Sequence, residues 1–402
     1  MPLPVERLRI LILTHNYPRF PGDPAGAFVA RIAEGAAERG HEVEVIAPHA
    51  PGLATDEETA GVRLHRFRYA PDRFERVAYT GGLHQGTLRS PLAALAFPGF
   101  LLAFSRAVRA AVGRFHPDLI HAHWWFPGGW LASGQGVPYL ITCHGSDVRL
   151  LDRGYLIQAV ARRVFRRAAA VTTASEFLAR DLIKHLPNGL PHITVTPMPV
   201  DTIGFLNGVR TAKAQPARVL YAGNLVPSKG VDVLLKAAAE LTRRGVGYHL
   251  RILGQGPEQS RLEALARELG ITAQVTWGSH VPQEQMPAEY GASTVTVLPS
   301  RGDAEGLGLT MVEALLAGSA AIGTPAGGIR EVVRDEETGL TARDGDWVHL
   351  ADQIERMLTD ATLRERLTKA GQVYALQTYE ATTTISVFLG LYHVVAERHP
   401  KR

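Results

Sequence analysis

The chain reads as an α/β protein built from two doubly wound parallel sheets. Continuous apolar runs of strand length recur along it, each followed by a helix-like segment, and strands alternating with helices imply βαβ units and parallel pairing. The alternation runs through two separate series. At 402 residues, one core is disfavoured, because single cores rarely grow beyond roughly 250–300 residues.

The first series opens with LRILILT (8–14), an unbroken apolar run of the kind found in a strand buried on both faces. A Gly/Pro-rich loop from Asn16 to Gly26 follows, then the helix AFVARIAEGAAERG, which stops at Gly40. EVEVIAP (42–48), DLIHAH (118–123), PYLITCH (138–144) and AAVTTAS (169–175) read as further strands. The join falls near 192–205 and the polar stretch to Pro216. The second series begins with RVLYAG (218–223), a helix from about Lys229, and YHLRILG (248–254). A helix over 257–269, QVTWGS, TVTVLPS (294–300), a helix from Leu307 to Ala317 and AAIGT complete it. Ligands of doubly wound sheets bind beyond the carboxyl ends of the strands. That places the loop 16–26, His144, Gly223, Gly254 and Glu305 around one shared cleft.

Composition excludes several classes. Hydrophobic residues make up 46% and charged residues 20%, as in an ordinary soluble enzyme. The single cysteine, Cys143, rules out an intramolecular disulfide framework and fits a reducing compartment. No Cys/His cluster suggests structural zinc. Residues 1–200 carry 22 Lys/Arg against 16 Asp/Glu, a net of +6 too mild to indicate nucleic acid. The N-terminus carries no signal-peptide pattern. The most apolar stretch, Leu92 to Phe104, is too short to span a bilayer and is interrupted by Pro98 and Gly99.

The most informative motif is AEGLGLTMVEALLAG, in which Glu305 and Glu313 stand eight positions apart. Glu313 lies mid-helix between apolar neighbours, where an unpartnered carboxylate is costly. Glu305 lies before the helix, in a loop made flexible by Gly302, Gly306 and Gly308. One carboxylate at the helix mouth and one about two turns inside can both address a hydroxyl-rich ligand, and the backbone N–H groups of 306–309 can hold an anion. In GNLVPSKG (223–230), Lys229 starts a helix after a glycine-containing loop, a placement that suits a diphosphate; the P-loop spacing is absent. GQGP (254–257) lacks the third glycine of a dinucleotide fingerprint and comes late in the chain, which argues against NAD or FAD. His144 and Asp147, in HGSD, can bond hydroxyls at a strand end. His121 and His123 share a strand face, but no third metal ligand is evident beside them, and they read as a structural pair. Trp124, Trp125 and Trp130 read as core packing ahead of stacking on a sugar. Asp344 and Asp346, the only Asp-x-Asp, read as a turn and helix cap.

Together these pieces resemble the retaining glycosyltransferases of the GT-B class often called family 4. The resemblance runs through GDPAGAFVARIAEGAAERGHEVEVIAP, PDLIHAH, CHGSDV, YAGNLVPSKGVDVLL, ILGQGPE and PSRGDAEGLGLTMVEALLAGSAAIGTPAGGIREVV. It implies two Rossmann-like domains facing a cleft: an acceptor-binding domain at 1–200, a nucleotide-sugar-binding domain at 201–378, and a final segment, 379–402, whose helix crosses back to the first. By that resemblance Glu313 would hold ribose hydroxyls and Glu305 the donor sugar. Gly223, Asn224, Gly254, Gly256, Gly306, Leu307, Gly308 and Leu309 would line the donor site, Lys229 would neutralise the diphosphate, and His144 would face the reacting sugar. Gly22, Gly26 and Asp147 would serve the acceptor or a phosphate. Three departures stand out: Asn224 where members often carry arginine, MPVD at 198–201, and separated Gly22 and Gly26 in place of a glycine pair.

The resemblance implies transfer of a hexose from a nucleotide diphosphate sugar to a carbohydrate or lipid-linked acceptor, with retention by same-face attack and with neither metal nor cofactor. A nucleotide-sugar epimerase of similar fold and a non-catalytic nucleotide-sugar-binding protein are the alternatives. The expected location is cytoplasmic, and residues 66–114 leave two readings open: peripheral attachment to an anionic membrane, or an apolar stretch, Leu92 to Phe104, packed in the core beside solvated arginines. There Arg66, Arg68, Arg73, Arg76, Arg89, Arg106, Arg109 and Arg114 alternate with Phe67, Phe74, Phe97, Phe100, Leu101, Leu102 and Phe104.

Overall fold

The computed structural model describes residues 7–79, 91–279, 281–303 and 305–398; Arg89 and residues 399–402 lie outside them. The chain forms two compact units, Met1–Pro199 with Ala381–Arg402, and Val200–Glu380.

In the first unit the order along the chain is β1 (Arg9–Leu13), α1 (Ala27–Glu38), β2 (Glu42–Pro48), β3 (Asp56–Thr59), β4 (Val62–Phe67), α2 (Pro91–Phe115), β5 (Leu119–His123), β6 (Tyr139–Cys143), α3 (Tyr155–Phe165), β7 (Ala170–Thr173), α4 (Glu176–His185) and β8 (Ile193–Val195). The sheet order is β3-β4-β2-β1-β5-β6-β7-β8. All pairings are parallel except the β3–β4 hairpin at one edge, which the sequence reading did not anticipate. The direction of winding reverses between β1 and β5. Because such crossovers are right-handed, α1 covers one face and α2, α3 and α4 the other. The final helix (Ala381–Arg398) joins α1, its Ile385, Phe388, Leu389 and Tyr392 sharing a core with Ile10, Ile12, Val43 and Val45.

The second unit contains β9 (Arg218–Ala222), α5 (Val231–Arg243), β10 (His249–Leu253), α6 (Gln259–Glu268), β11 (Val275–Gly278), α7 (Met286–Ala292), β12 (Val295–Leu298), α8 (Leu309–Leu316), β13 (Ala320–Gly323), β14 (Leu340–Thr341), α9 (Trp347–Thr359) and α10 (Ala361–Tyr379). Its order is β11-β10-β9-β12-β13-β14, parallel throughout. Winding reverses here between β9 and β12, so the loops after those two strands diverge to opposite faces and leave a crevice between them.

Two expectations are corrected. Pro98 and Gly99 do not interrupt the apolar stretch: α2 runs continuously from Pro91 to Phe115. An internal proline costs a helix about 3 kcal/mol, and here burial of Phe100, Phe104, Val108, Ala111 and Phe115 against the sheet outweighs it. The helix is long and apolar enough to cross a membrane by length and composition, yet that inner stripe is packed as a core. The helix bearing Glu313 is shorter than the expected 307–317: Gly308 adopts φ +88° and caps it, so it runs from Leu309 to Leu316.

The glycines at the ends of β9 and β10 permit direct backbone contact. A Cβ on Gly254, where φ is +149°, would lie 1.9 Å from the Gly223 carbonyl oxygen. At Gly245, φ is +74° and a Cβ would meet nothing within 4 Å. Gly245→Ala is therefore expected to cost about 1–2 kcal/mol through backbone strain alone. Gly254→Ala should add an overpacking penalty of about 1–3 kcal/mol. Urea unfolding of the two variants checks the order; equal losses would contradict the packing account.

Candidate functional site

In the second unit, the residues singled out from the sequence gather at the crevice between the ends of β9 and β12. Lys229 follows β9 and Glu305 follows β12, and their side chains meet: Lys229 Nζ donates to Glu305 Oε1 at 2.5 Å. Ser300 Oγ donates to the same oxygen, also at 2.5 Å. Glu305 is buried, and a buried carboxylate survives only when paired and hydrogen-bonded. The loop carrying it is braced, not flexible as expected. Gly328 N–H donates to the Glu305 carbonyl at 3.0 Å, and a Cβ on Gly327 would lie 2.1 Å from that same oxygen.

Glu313 sits on α8, half-buried. Its Oε1 accepts from Gln283 Nε2 at 3.1 Å and its Oε2 from Tyr290 Oη at 3.0 Å. Burial, then the neighbouring Glu313, push the Tyr290 phenol well above its usual pKa, so it stays a donor. The segment Gly306, Leu307, Gly308, Leu309 leads into α8, whose first turn closes when Met311 N–H bonds the Gly308 carbonyl at 2.8 Å. The glycines of GQGP lie against the β9 loop. Leu225 N–H bonds the Gln255 carbonyl at 2.9 Å, and a Cβ on Gly256 would fall 2.2 Å from the Leu225 carbonyl oxygen. Asn224 is exposed, and its carbonyl accepts from Tyr221 Oη at 2.9 Å.

The first unit carries its polar cluster at the equivalent switch point, between the ends of β1 and β5. Gly26 caps α1 with φ +70°, and a Cβ there would lie 2.1 Å from the Asn16 carbonyl. Gly22 also takes a left-handed conformation, φ +81°. Between them Asp23 ties the loop: its carboxylate accepts from Arg19 Nε at 2.6 Å and from the backbone N–H groups of Arg19 and Ala25. Burial opposes ionisation of Asp23, but the bonds from Arg19 and Ala25 outweigh it and hold the carboxyl below its usual pKa.

Beyond this loop the rings of His15, Phe28, Trp124 and His144 form a shelf, with His15 and Trp124 4.0 Å apart and Phe28 and His144 4.8 Å apart. His144 Nε2 and His123 Nδ1 are 3.0 Å apart. Burial, then His123 and His15, drive the His144 pKa well below its ordinary value, and burial, then His15, lowers His123 to about 3. Both rings are neutral near pH 7, so one nitrogen of the pair donates and the other accepts. Whichever tautomer holds, the two outer nitrogens are then one donor and one acceptor. His123 Nε2 and His144 Nδ1 are buried without a partner among the described residues, which marks a place for a ligand hydroxyl or an ordered water.

Two other residues, Asp147 and Trp130, take roles different from those expected. Asp147 does not offer its carboxylate to a ligand. It is buried and accepts from the backbone N–H groups of His144 (3.0 Å), Gly145 (3.0 Å) and Trp125 (3.2 Å), so it shapes the turn that presents His144. Trp124 and Trp125 are buried as expected, but Trp130 is 41% exposed. His121 is satisfied on both ring nitrogens, by Tyr392 Oη and Thr142 Oγ1 at 2.7 Å each. Asp346 caps α9 by accepting from His349 N–H at 2.9 Å, and Asp344 accepts from Gly302 N–H at 2.8 Å. His49, Asp72 and Glu75 have ligand atoms close enough to share an ion, but both His49 nitrogens are already bonded, to Glu75 and to the Leu53 carbonyl.

Sequence reasoning missed His123 as the partner of His144, and it missed Ser300, Gln283 and Tyr290. Ser300 had a signal, standing at a strand end just before Glu305. Gln283 and Tyr290 had none.

The family Glycosyl transferases group 1 matches residues 207–374, and Glycosyltransferase Family 4 matches residues 25–203. A D-inositol 3-phosphate glycosyltransferase of Acidothermus cellulolyticus is 31% identical, over 96% of this chain and 90% of its own. In fold the chain is similar to a sucrose-phosphate synthase from Thermosynechococcus elongatus, with a TM-score of 0.79 and 21% identity over 98% of this chain and 100% of that one. It is also similar to HepE of Anabaena, solved in complex with UDP and glucose, with a TM-score of 0.73 and 18% identity over 96% of this chain and 100% of that one.

The buried histidines make stability depend on pH. His121, His123 and His144 all have folded-state pKa values below the unfolded value near 6.5. Above about pH 6.5 neither state binds the protons. Below it the unfolded chain takes them up and the folded chain does not, so stability falls as pH falls. Each ring contributes a loss of about 1.4 kcal/mol per pH unit in that range. Urea unfolding followed by tryptophan emission should show the loss, shallower in His123→Gln; stability that rises on acidification would contradict it.

Proposed function

The chain belongs to the glycosyl transferases group 1 family and is a glycosyltransferase; from that premise we propose that it moves a hexose from a nucleotide diphosphate sugar to a saccharide or lipid-linked acceptor, with retention and without a metal. The observation that carries the reading is the Lys229–Glu305 pair beside the entrance to α8. A nucleotide sugar brings a diphosphate and a polyhydroxylated ring into one place, and the site offers a cation for the first and a carboxylate for the second.

In this reading the ribose hydroxyls donate to Glu313, whose two oxygens are already oriented by Gln283 and Tyr290. The sugar hydroxyls donate to Glu305. The diphosphate accepts from Lys229 and from backbone N–H groups leading into α8, where the helix dipole favours negative charge. The acceptor hydroxyl attacks the anomeric carbon from the face the diphosphate leaves. The bond to the phosphate oxygen breaks, its electron pair stays on the diphosphate, and the acceptor's proton passes to a phosphate oxygen. Lys229 stabilises the charge that grows there. His144, neutral and held by His123, bonds a sugar hydroxyl; it neither gives nor takes the transferred proton.

The metal-free reading assigns charge neutralisation to Lys229, with Asp346 capping α9 and Asp344 accepting from the Gly302 N–H. The buried thiol of Cys143, the chain's one cysteine, supports a reducing cytoplasm as the compartment. The Anabaena complex with UDP and glucose makes UDP-glucose the first donor to test. A thermal-shift comparison of UDP-, GDP-, ADP- and dTDP-sugars identifies the donor, since a bound ligand raises the melting temperature by mass action.

Two outcomes follow for variants. Glu313→Gln should weaken binding of the free nucleotide, whereas Glu305→Gln should chiefly lower turnover. Equal effects of both on nucleotide binding would contradict this division. Lys229→Ala should cost about 1.5–3 kcal/mol more with the nucleoside diphosphate than with the monophosphate. Calorimetry showing identical losses would remove Lys229 from the diphosphate site.

A further inference from the structure

The outer layer of the first unit carries an apolar and basic face that the donor site does not use. Its helices α2 and α3 lie on one side of the sheet, as their right-handed crossovers require, and residues 125–132 lie between them. Phe126 is 6.4 Å from Phe97 of α2 and 6.0 Å from Trp130, and Trp125 is 6.4 Å from Phe165 of α3. The layer is thus continuous.

Positions 92, 95, 99, 102, 106 and 109 of α2 follow helical spacing and form one stripe. Every one of them is exposed. The stripe is apolar at its N-terminal end, through Leu92, Leu95 and Leu102, and basic at its C-terminal end, through Arg106 and Arg109. Leu95 is 81% exposed. The first turn of α3 repeats the pattern: Tyr155 is 73% and Leu156 79% exposed, with Val160 one turn on. Isolated exposed leucines are ordinary, but a leucine stripe continued by an exposed tryptophan and a second apolar turn marks a contact surface.

Charge identifies the occupant. Pro91–Phe115 contains no acidic residue. Residues 149–167 contain only Asp152, which pairs with His185 at 2.8 Å. Arg153, Arg163, Arg166 and Arg167, within the same stretch of sequence, are exposed. The residues expected to form a membrane patch from sequence are largely elsewhere: Phe67, Phe100 and Phe104 are buried, and Arg66 is buried against Glu57 and the Pro18 carbonyl.

We propose that the face formed by the outer stripe of α2, Trp130 and the first turn of α3 docks the enzyme on an anionic lipid bilayer. The leucines, Tyr155 and Trp130 enter the interfacial region, and the arginines meet the lipid phosphates. The inference is independent of the donor reading, because none of these residues belongs to the second unit.

Co-sedimentation of the full chain with phosphatidylcholine vesicles, with and without phosphatidylglycerol, tests it at low and high salt. Binding should require phosphatidylglycerol, weaken at high salt, and fall roughly tenfold or more in Leu95→Glu and Leu156→Glu. These positions are exposed, so the folded state should persist, as the melting temperature will show. Calorimetry with UDP-glucose on the same variants reports the donor site separately. No binding to either vesicle, binding unaltered by both substitutions, or equal and salt-independent binding to neutral vesicles would overturn the proposal. So would sedimentation equilibrium showing a dimer that Leu95→Glu dissociates, which would make the face a contact between copies of this chain.

Discussion

A buried carboxylate must have partners, and the arrangement of the second unit's site follows from how Glu305 finds them. Lys229 arrives on the loop after β9 and Ser300 on the loop after β12, both converging on one oxygen of Glu305. That convergence needs the two loops to diverge from a switch point between adjacent parallel strands, which the order β10-β9-β12-β13 provides. It also needs the backbone behind Glu305 to be fixed, and Gly327 and Gly328 do this by packing main chain on main chain. The pair leaves a cation and an acceptor side by side at a helix entrance. In water such a pair would be worth little; held in a part-buried crevice, it is what the proposed function draws on for a ligand carrying both a diphosphate and hydroxyls.

The first unit solves a related problem with neutral groups. Its switch point is lined by imidazoles that burial keeps uncharged. An uncharged ring can both donate and accept, which suits a hydroxyl partner. Asp147, buried beneath, supplies no chemistry of its own; it collects three backbone N–H groups and so aims His144. The last helix closes the same core from the far end of the chain, through Tyr392 on His121.

Much of this was legible in the sequence, for physical reasons. Strands buried on both faces must be continuously apolar, so β1, β2, β5, β6 and β9 stood out, and their alternation with helices implied parallel sheets. The spacing of Glu305 and Glu313 around a glycine-started helix was legible for the same kind of reason. What stayed hidden depends on contacts between distant segments. Gln283 and Tyr290 reach Glu313 across 30 and 23 residues, and nothing local marks them. Asp147 read as a free carboxylate because a sequence does not show which backbone N–H groups a turn will point inward. Pro98 read as a break because local propensity opposes a helix there, and the tertiary burial of Phe100 and Phe104 overrides it. The face of α2 left uncovered by that burial could be read only once the inner stripe was known.

The proposed function makes Lys229 and Glu305 one unit, acting on the phosphate and the sugar of the donor. Calorimetric titration of free UDP into the parent chain, Glu305→Gln, Lys229→Met and the double variant tests it most directly, because the cycle isolates their coupling. Removing the charge of Glu305 should release Lys229 to the diphosphate and tighten UDP binding, and that gain should vanish once Lys229 is methionine. Additive, independent effects of the two substitutions would contradict the account.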